Sequence, residues 1–243
     1  MSGFTPMKGS GFSQGIFEVG STQKEALGTM RVLEDGRCFC YAKAGAGALT
    51  AGNMGVSAAI AANVTDEAMG AAVAVGAQTL TFTAGAAVTY IADYFKDGYL
   101  QINDAAGQGI QYEIDGSSAV TAGTAINITL KNRIQIALTT SSEATLVHSP
   151  WMAVIETTTE ESNPVGTPAK AVPIANFYWA QTVGVANSLI SGTPAVGTML
   201  TLGAASGSLI AINTTLDIDQ PIVARTWGTA GRDTEYCPVM LCI

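Results

Sequence analysis

Residues 97–147 read DGYLQINDAAGQGIQYEIDGSSAVTAGTAINITLKNRIQIALTTSSEATLV. Along this stretch Leu100 and Ile102, then Ile110, Tyr112 and Ile114, then Ile126, Ile128 and Leu130, then Ile134, Ile136 and Leu138 recur at alternate positions. That is the side-chain period of a strand with one buried face. The segments between them, Asp104–Gly107, Asp115–Ser118 and Lys131–Arg133, are polar and supply the Gly, Asn and Asp that tight turns need. The stretch therefore predicts a ladder of short antiparallel strands, with one side on a core and the other in water.

Outward from this ladder the same signal continues. Gln78–Thr83 alternates through Leu80 and Phe82, and Ala92–Phe95 has the length of a single helical turn. Residues 44–76 are more than half Ala and Gly: Thr65-Asp66-Glu67 suits a helix start, while Val73 and Val75 already step as in a strand, so both states stay open. Thr29–Leu33 and Arg37–Lys43 flank Glu34-Asp35-Gly36, a hairpin signal. On the other side, Trp151–Ile155 reads as a strand, and Glu156–Lys170, rich in Thr with Pro164 and Pro168, reads as a loop or a strand-connecting excursion. Ile174–Thr182, Met199–Leu202, Leu209–Ile212, Ile222–Thr226 and Val239–Ile243 continue the strand series with Gly or Pro between most members. Residues 1–27 alternate Gly, Ser and Thr around Phe4, Phe12, Ile16 and Phe17 without a sustained period. The expected fold is mainly β: an antiparallel β-sandwich or barrel-like domain with an extended N-terminal arm and little helix. The arm takes residues 1–27 and the β-rich domain residues 28–243, with 150–175 as the place where it would subdivide.

Charge is the informative part of the composition. Only 12% of residues are Asp, Glu, Lys or Arg and 48% are hydrophobic, with a mean hydropathy of +0.30; about 25% charged is usual. A chain of this mass exposes on the order of 10,000 Å², so its charges are thinly spread. Much of that surface is expected to lie against other subunits, because isolated domains so poor in charge associate. The net charge of −8 and the scatter of the basic residues exclude a phosphate-binding nucleic-acid protein. Residues 1–20 lack the apolar core of a signal peptide. The longest weakly polar run, Ala68–Ala77, is about half of what a bilayer requires. A soluble chain made in a cytoplasm is expected.

Candidate chemistry is sparse. His148 is the single histidine, so any Ser-His-Asp or Cys-His mechanism must use it; after a strand and before Ser149-Pro150 it suits a loop cap better. Cys38 and Cys40 form C-x-C, not a zinc knuckle, and with Cys237 and Cys242 are expected as buried reduced thiols. Asp93, Asp97, Asp104, Glu113 and Asp115 are ligand types for Ca²⁺ or a carboxylate pair, but turns gather aspartates without any such role. Trp151, Tyr178, Trp179 and Trp227 suit either a carbohydrate platform or core and interface anchors. No catalytic residue, metal ligand or cofactor is expected.

Six blocks carry a family resemblance, in chain order: EDGRCFCYAKAG (34–45), DGYLQINDAAGQGIQYEI (97–114), IALTTSSEATLV (136–147), ANFYWAQTVGVA (175–186), SGTPAVG (191–197) and YCPVMLCI (236–243). In these the chain resembles the head decoration, or cement, proteins of tailed bacteriophages. The resemblance implies a non-enzymatic virion structural protein, assembled in the host cytoplasm, that sits on the capsid exterior. There it would bind the major capsid protein as a homo-oligomer, a trimer being the expected form, and brace the head against DNA pressure. Under that reading Phe4, Phe12, Ile16 and Phe17 are expected to anchor the arm to the capsid or to a sister subunit. The alternative is another virion or surface part: a head-fibre base, a tail component or a glycan-binding module.

Overall fold

A computed structural model of the chain describes residues 11–160, 162–212 and 220–243. The fold is mainly β, and the one helical element among the described residues is a 3-10 turn at Ala62–Val64. The chain divides into two compact units, Met1–Ser57 with Ala153–Ile243, and Ala58–Met152. This differs from the expected arm at 1–27 and domain at 28–243, because the second unit is inserted into the first. Both units use the same alternating pattern, so periodicity cannot show the insertion.

The first unit begins with the hairpin read from the sequence: β1 (Met30–Val32) pairs antiparallel with β2 (Cys38–Lys43) across Asp35-Gly36. The short β3 (Gly55–Val56) follows, and the chain then leaves for the second unit.

There β4 (Glu67–Ala68), β5 (Thr79–Tyr90), β6 (Tyr99–Asp104), β7 (Gln111–Ser117), β8 (Val120–Leu130) and β9 (Glu143–Val147) form a six-stranded sheet in the order β4-β9-β6-β7-β8-β5. Its buried face carries Phe82, Leu100, Ile114, Ile126, Ile128 and Leu146, each essentially without solvent contact. Three of the four expected rungs are β6, β7 and β8. The fourth, Ile134–Leu138, is not a strand: Ile134 and Leu138 are buried, Ile136 is 48% exposed, and only Leu138 makes a bridge, to Val73. The reason is topological, since both edges of β8 are already taken by β7 and β5. Asp115 and Gly116, expected in a turn, lie inside β7 at a bulge. Ala92–Phe95 forms hydrogen-bonded turns rather than a helical turn.

On its return the chain forms β10 (Pro164–Pro168) in the segment expected to be a loop. Its prolines stand at the two ends of the strand, where a missing N–H costs the ladder least. Trp151–Ile155 contributes only isolated bridges, at Val154 to Ala44 and Ile155 to Val56. The 14-residue β11 (Phe177–Ile190) is the spine of this unit. Its first half pairs with β2, from Phe177 opposite Lys43 to Val183 opposite Cys38. Its second half pairs with β15 (Glu235–Cys242), from Val183 opposite Cys242 to Ile190 opposite Glu235. With β12 (Met199–Leu202), β13 (Leu209–Ala211) and β14 (Ala224–Thr226) the pairings close a ring, β11-β13-β12-β14-β15 and back to β11. Closure leaves these strands no free edge along the paired lengths. Ile190, Leu200, Leu202, Leu209, Val239 and Leu241 fill the interior.

Burial pushes the Cys40 thiol and the phenols of Tyr41, Tyr90, Tyr94 and Tyr178 above their ordinary values of 9.0 and 10.0, because the ionised forms lose hydration. A pKa raised in the folded state means that the contribution is complete below the unfolded value and disappears as pH rises through the folded one. Lys43, depressed by burial beside Phe177, works in the opposite direction. The urea midpoint is therefore expected to stay level near neutrality and to fall from about pH 9 upward. A midpoint that climbs above that pH would contradict the burial of these groups.

Candidate interaction surface

Four residues were expected to make contacts through the arm. Phe4 lies outside the described residues. Phe12 and Ile16 turn inward and pack on the chain's own Phe39, Tyr41, Phe177 and Trp179. A set of polar groups that need burial partners holds this segment against the chain. The Trp179 indole N–H donates to the Gln14 carbonyl at 3.0 Å. The Gln14 amide donates to the carbonyls of Glu18 and Phe177, and its side-chain oxygen accepts from the Tyr41 hydroxyl at 2.8 Å. Arg31 donates to the same Gln14 carbonyl and stands over the rings of Phe12 and Trp179. A buried Gln whose carbonyl and both side-chain polar atoms are hydrogen-bonded holds this segment in place. Phe17 stays outside, 60% exposed.

Phe17 borders a groove of about 530 Å³ on the first unit, lined also by Arg37, Pro168, Asn187, Tyr236 and Pro238 among others. The lining has no carboxylate, imidazole or thiol. Its one cation, Arg37, donates from Nε to Asp35 at 2.7 Å, and the Arg37 backbone and side-chain bonds hold the Asp35 carboxyl below the usual range.

The groove continues onto the outer face of the closed strands, which is largely apolar apart from Asn187 and Arg225. On β11 the outward Val183 and Val185 alternate with inward Ala186, Ser188 and Ile190. On β15 Tyr236, Met240 and Cys242 alternate with Cys237, Val239 and Leu241. Register places Val185 opposite Met240, Met240 opposite Arg225 on β14, and Arg225 opposite Met199 on β12. Directly opposed residues share a face, so Val185, Met240, Arg225 and Met199 form one row across it. Val185, Met240 and Met199 are 39%, 37% and 40% exposed. Sequence reasoning missed this row, although a signal was present: YCPVMLC is apolar in both phases of the alternation, and VGVANSLI departs from that only at Asn187 and Ser188, as in strands covered on both sides.

The other candidates fall into place singly. Asp97 and Glu113 both receive Lys131, at 3.4 and 2.5 Å, and the Glu113 hydrogen bond raises the lysine pKa. Asp93 accepts from the Ser117 N–H, and Asp104 from the Ala105 N–H. Among the described residues no three His, Cys, Asp or Glu gather as a metal site. His148 is buried, with Nδ1 at 2.9 Å from the Ser149 carbonyl and its ring edge-on to Tyr94. All four cysteines are free; Cys40 and Cys237 are buried as expected, whereas Cys38 is partly exposed and Cys242 exposed. Tyr178 and Trp179 are core residues, Trp151 is partly buried and Trp227 is 50% exposed, so these four do not assemble an exposed platform. Among the described residues no helix is long and apolar enough to cross a membrane.

Fold and surface together define a charge-poor, mainly β chain whose most distinctive exposed feature is an apolar sheet face. Compared with protein-family models, curated proteins and solved structures, the chain matches none.

Proposed function

We propose that this chain is a non-enzymatic structural protein of a tailed-phage virion that binds the outside of the head as a homo-oligomer and stabilises the capsid. The observation that carries the reading is the apolar face on β11, β15, β14 and β12, in a chain with only 12% charged residues. Such a face is a contact surface rather than a reaction site. The capsid part of the reading is supported by the sequence blocks that resemble head decoration proteins. An acidic chain also suits an exterior position, away from packaged DNA. Repeated modest contacts from a closed oligomer reach high avidity through effective concentration.

The test is the protein content of gradient-purified heads from a lysate containing this chain. It is expected in fixed ratio to the major capsid protein, and heads lacking it are expected to release DNA at lower temperature. Purified heads free of the chain would sink the reading.

A further inference from the structure

We infer that the groove bordered by Phe17 and Tyr236 on the first unit binds a short neutral saccharide. This goes beyond the proposed function and does not rest on it.

The floor of the groove holds polar groups that are fixed in place and open. Gln181 lines it and is only 5% exposed. Both protons of its side-chain amide are spent on the carbonyls of Val183 and Val185, at 3.2 and 2.9 Å, which fixes the orientation of the group. Its side-chain oxygen has no donor among the described residues and is not sealed from solvent. It is therefore an acceptor held ready for a ligand hydroxyl or N–H. Thr167, buried and also lining the groove, stands directly opposite on β10, and opposed residues share a face. Its hydroxyl can donate and accept. Asn187 is exposed on the groove wall, and its side-chain amide bonds to no described residue, so it offers two donors and an acceptor.

Beside these groups stands a fixed aromatic plane. The Tyr236 hydroxyl donates to Asn53 at 2.9 Å, and a Cβ placed on Gly52 would lie 3.0 Å from two carbons of the phenol ring. The ring is thus held from one side while the residue remains 42% exposed. Trp151, Tyr178, Trp179 and Trp227, read from the sequence as a carbohydrate platform, do not line the groove.

Charge and strand pairing select the ligand. The one cation of the lining, Arg37, is already balanced by Asp35, and a net charge of −8 disfavours anions. A peptide that adds as a strand needs main-chain groups on an open edge, and the carbonyls of Val183 and Val185 are taken by Gln181. The ligand must therefore be read by side chains, with donors and acceptors arranged around an aromatic face. A sugar ring matches this set, because its hydroxyls both donate and accept and its C–H face packs on an aromatic ring. The volume of about 530 Å³ lies within the roughly 300–1,000 Å³ of small-ligand sites.

The experiment screens the full chain on an array of neutral, sialylated and uronate-containing glycans and titrates the bound ones, as free oligosaccharides, by calorimetry. It compares wild type with N187A, T167V and Y236L, and with W227A as control, an exposed aromatic outside the groove. Wild type and W227A are expected to bind neutral glycans equally. N187A and T167V are each expected to weaken binding by about 10-fold, the scale of one lost hydrogen bond, and Y236L by a similar factor through the lost stacking. T167V keeps the side-chain shape, so it decides the matter even where Y236L does not fold. An array without a neutral hit overturns the inference, and so does binding confined to acidic glycans. A folded N187A or T167V that binds like wild type overturns it, as does a W227A that loses as much as they do. A chain that binds saccharide through the groove yet is missing from heads defeats the capsid reading alone, and one that is found on heads but binds no glycan defeats the inference alone.

Discussion

Trp179→Ala is expected to destabilise the unit built on β2 and β11 by about 3–5 kcal/mol, the range for truncating a large, fully buried aromatic. The indole has no solvent contact, packs edge-on against Phe12 and Tyr41 with centroids 5.1 Å apart in both cases, and donates to the Gln14 carbonyl. Its removal opens a cavity and also deprives the segment at 11–27 of the surface it rests on. Two readouts are therefore expected to move together: the urea midpoint falls, and trypsin cuts faster after the exposed Lys24 under native conditions, because the segment detaches more readily. Trp179→Phe keeps most of the packing and loses the N–H bond, so a smaller loss of about 1–2 kcal/mol is expected, with a smaller rise in cutting after Lys24. If Trp179→Ala leaves the rate of cutting after Lys24 as in wild type, the account of what holds the segment at 11–27 is wrong.

The second large effect lies in the inserted unit. Phe82 on β5 has no solvent contact and sits in the cluster with Leu100, Ile114, Ile126 and Ile128. Phe82→Ala is expected to cost about 3–5 kcal/mol, and Phe82→Leu about 1–1.5 kcal/mol, because the smaller change leaves a smaller void. The measurement is amide exchange in β6, β7 and β8, which should quicken in proportion to the two losses while β12 to β15 keep their protection. Both units share one chain but have separate clusters: the one containing Phe82 draws only on residues between Val64 and Leu146. Equal acceleration across both clusters would contradict that separation.

The candidate surface was legible only in part. The scarcity of charge pointed to covered surface, but the expected contacts fell on the aromatic residues of the arm, where isolated Phe and Ile among Gly and Ser stand out. Phe12 and Ile16 were drawn inward by a Trp N–H and a buried Gln, needs that no local pattern records. The actual apolar face was written as strands largely apolar in both phases. In one dimension such strands are indistinguishable from strands buried between two layers.

Local sequence alone determined the strand character of the chain, the hairpin at Asp35-Gly36 and the rungs β6, β7 and β8, because side-chain alternation and turn chemistry act over a few residues. Tertiary structure decided what depends on distant pairing. Ile134–Leu138 found no open edge beside β8, and Pro164–Pro168 became a strand because β3 and β11 offered one. The ring closed when β15 met β11. Closure then assigned one phase of each of these strands to the interior and left the other outside, and that choice is made by the partner strand rather than by the residues themselves.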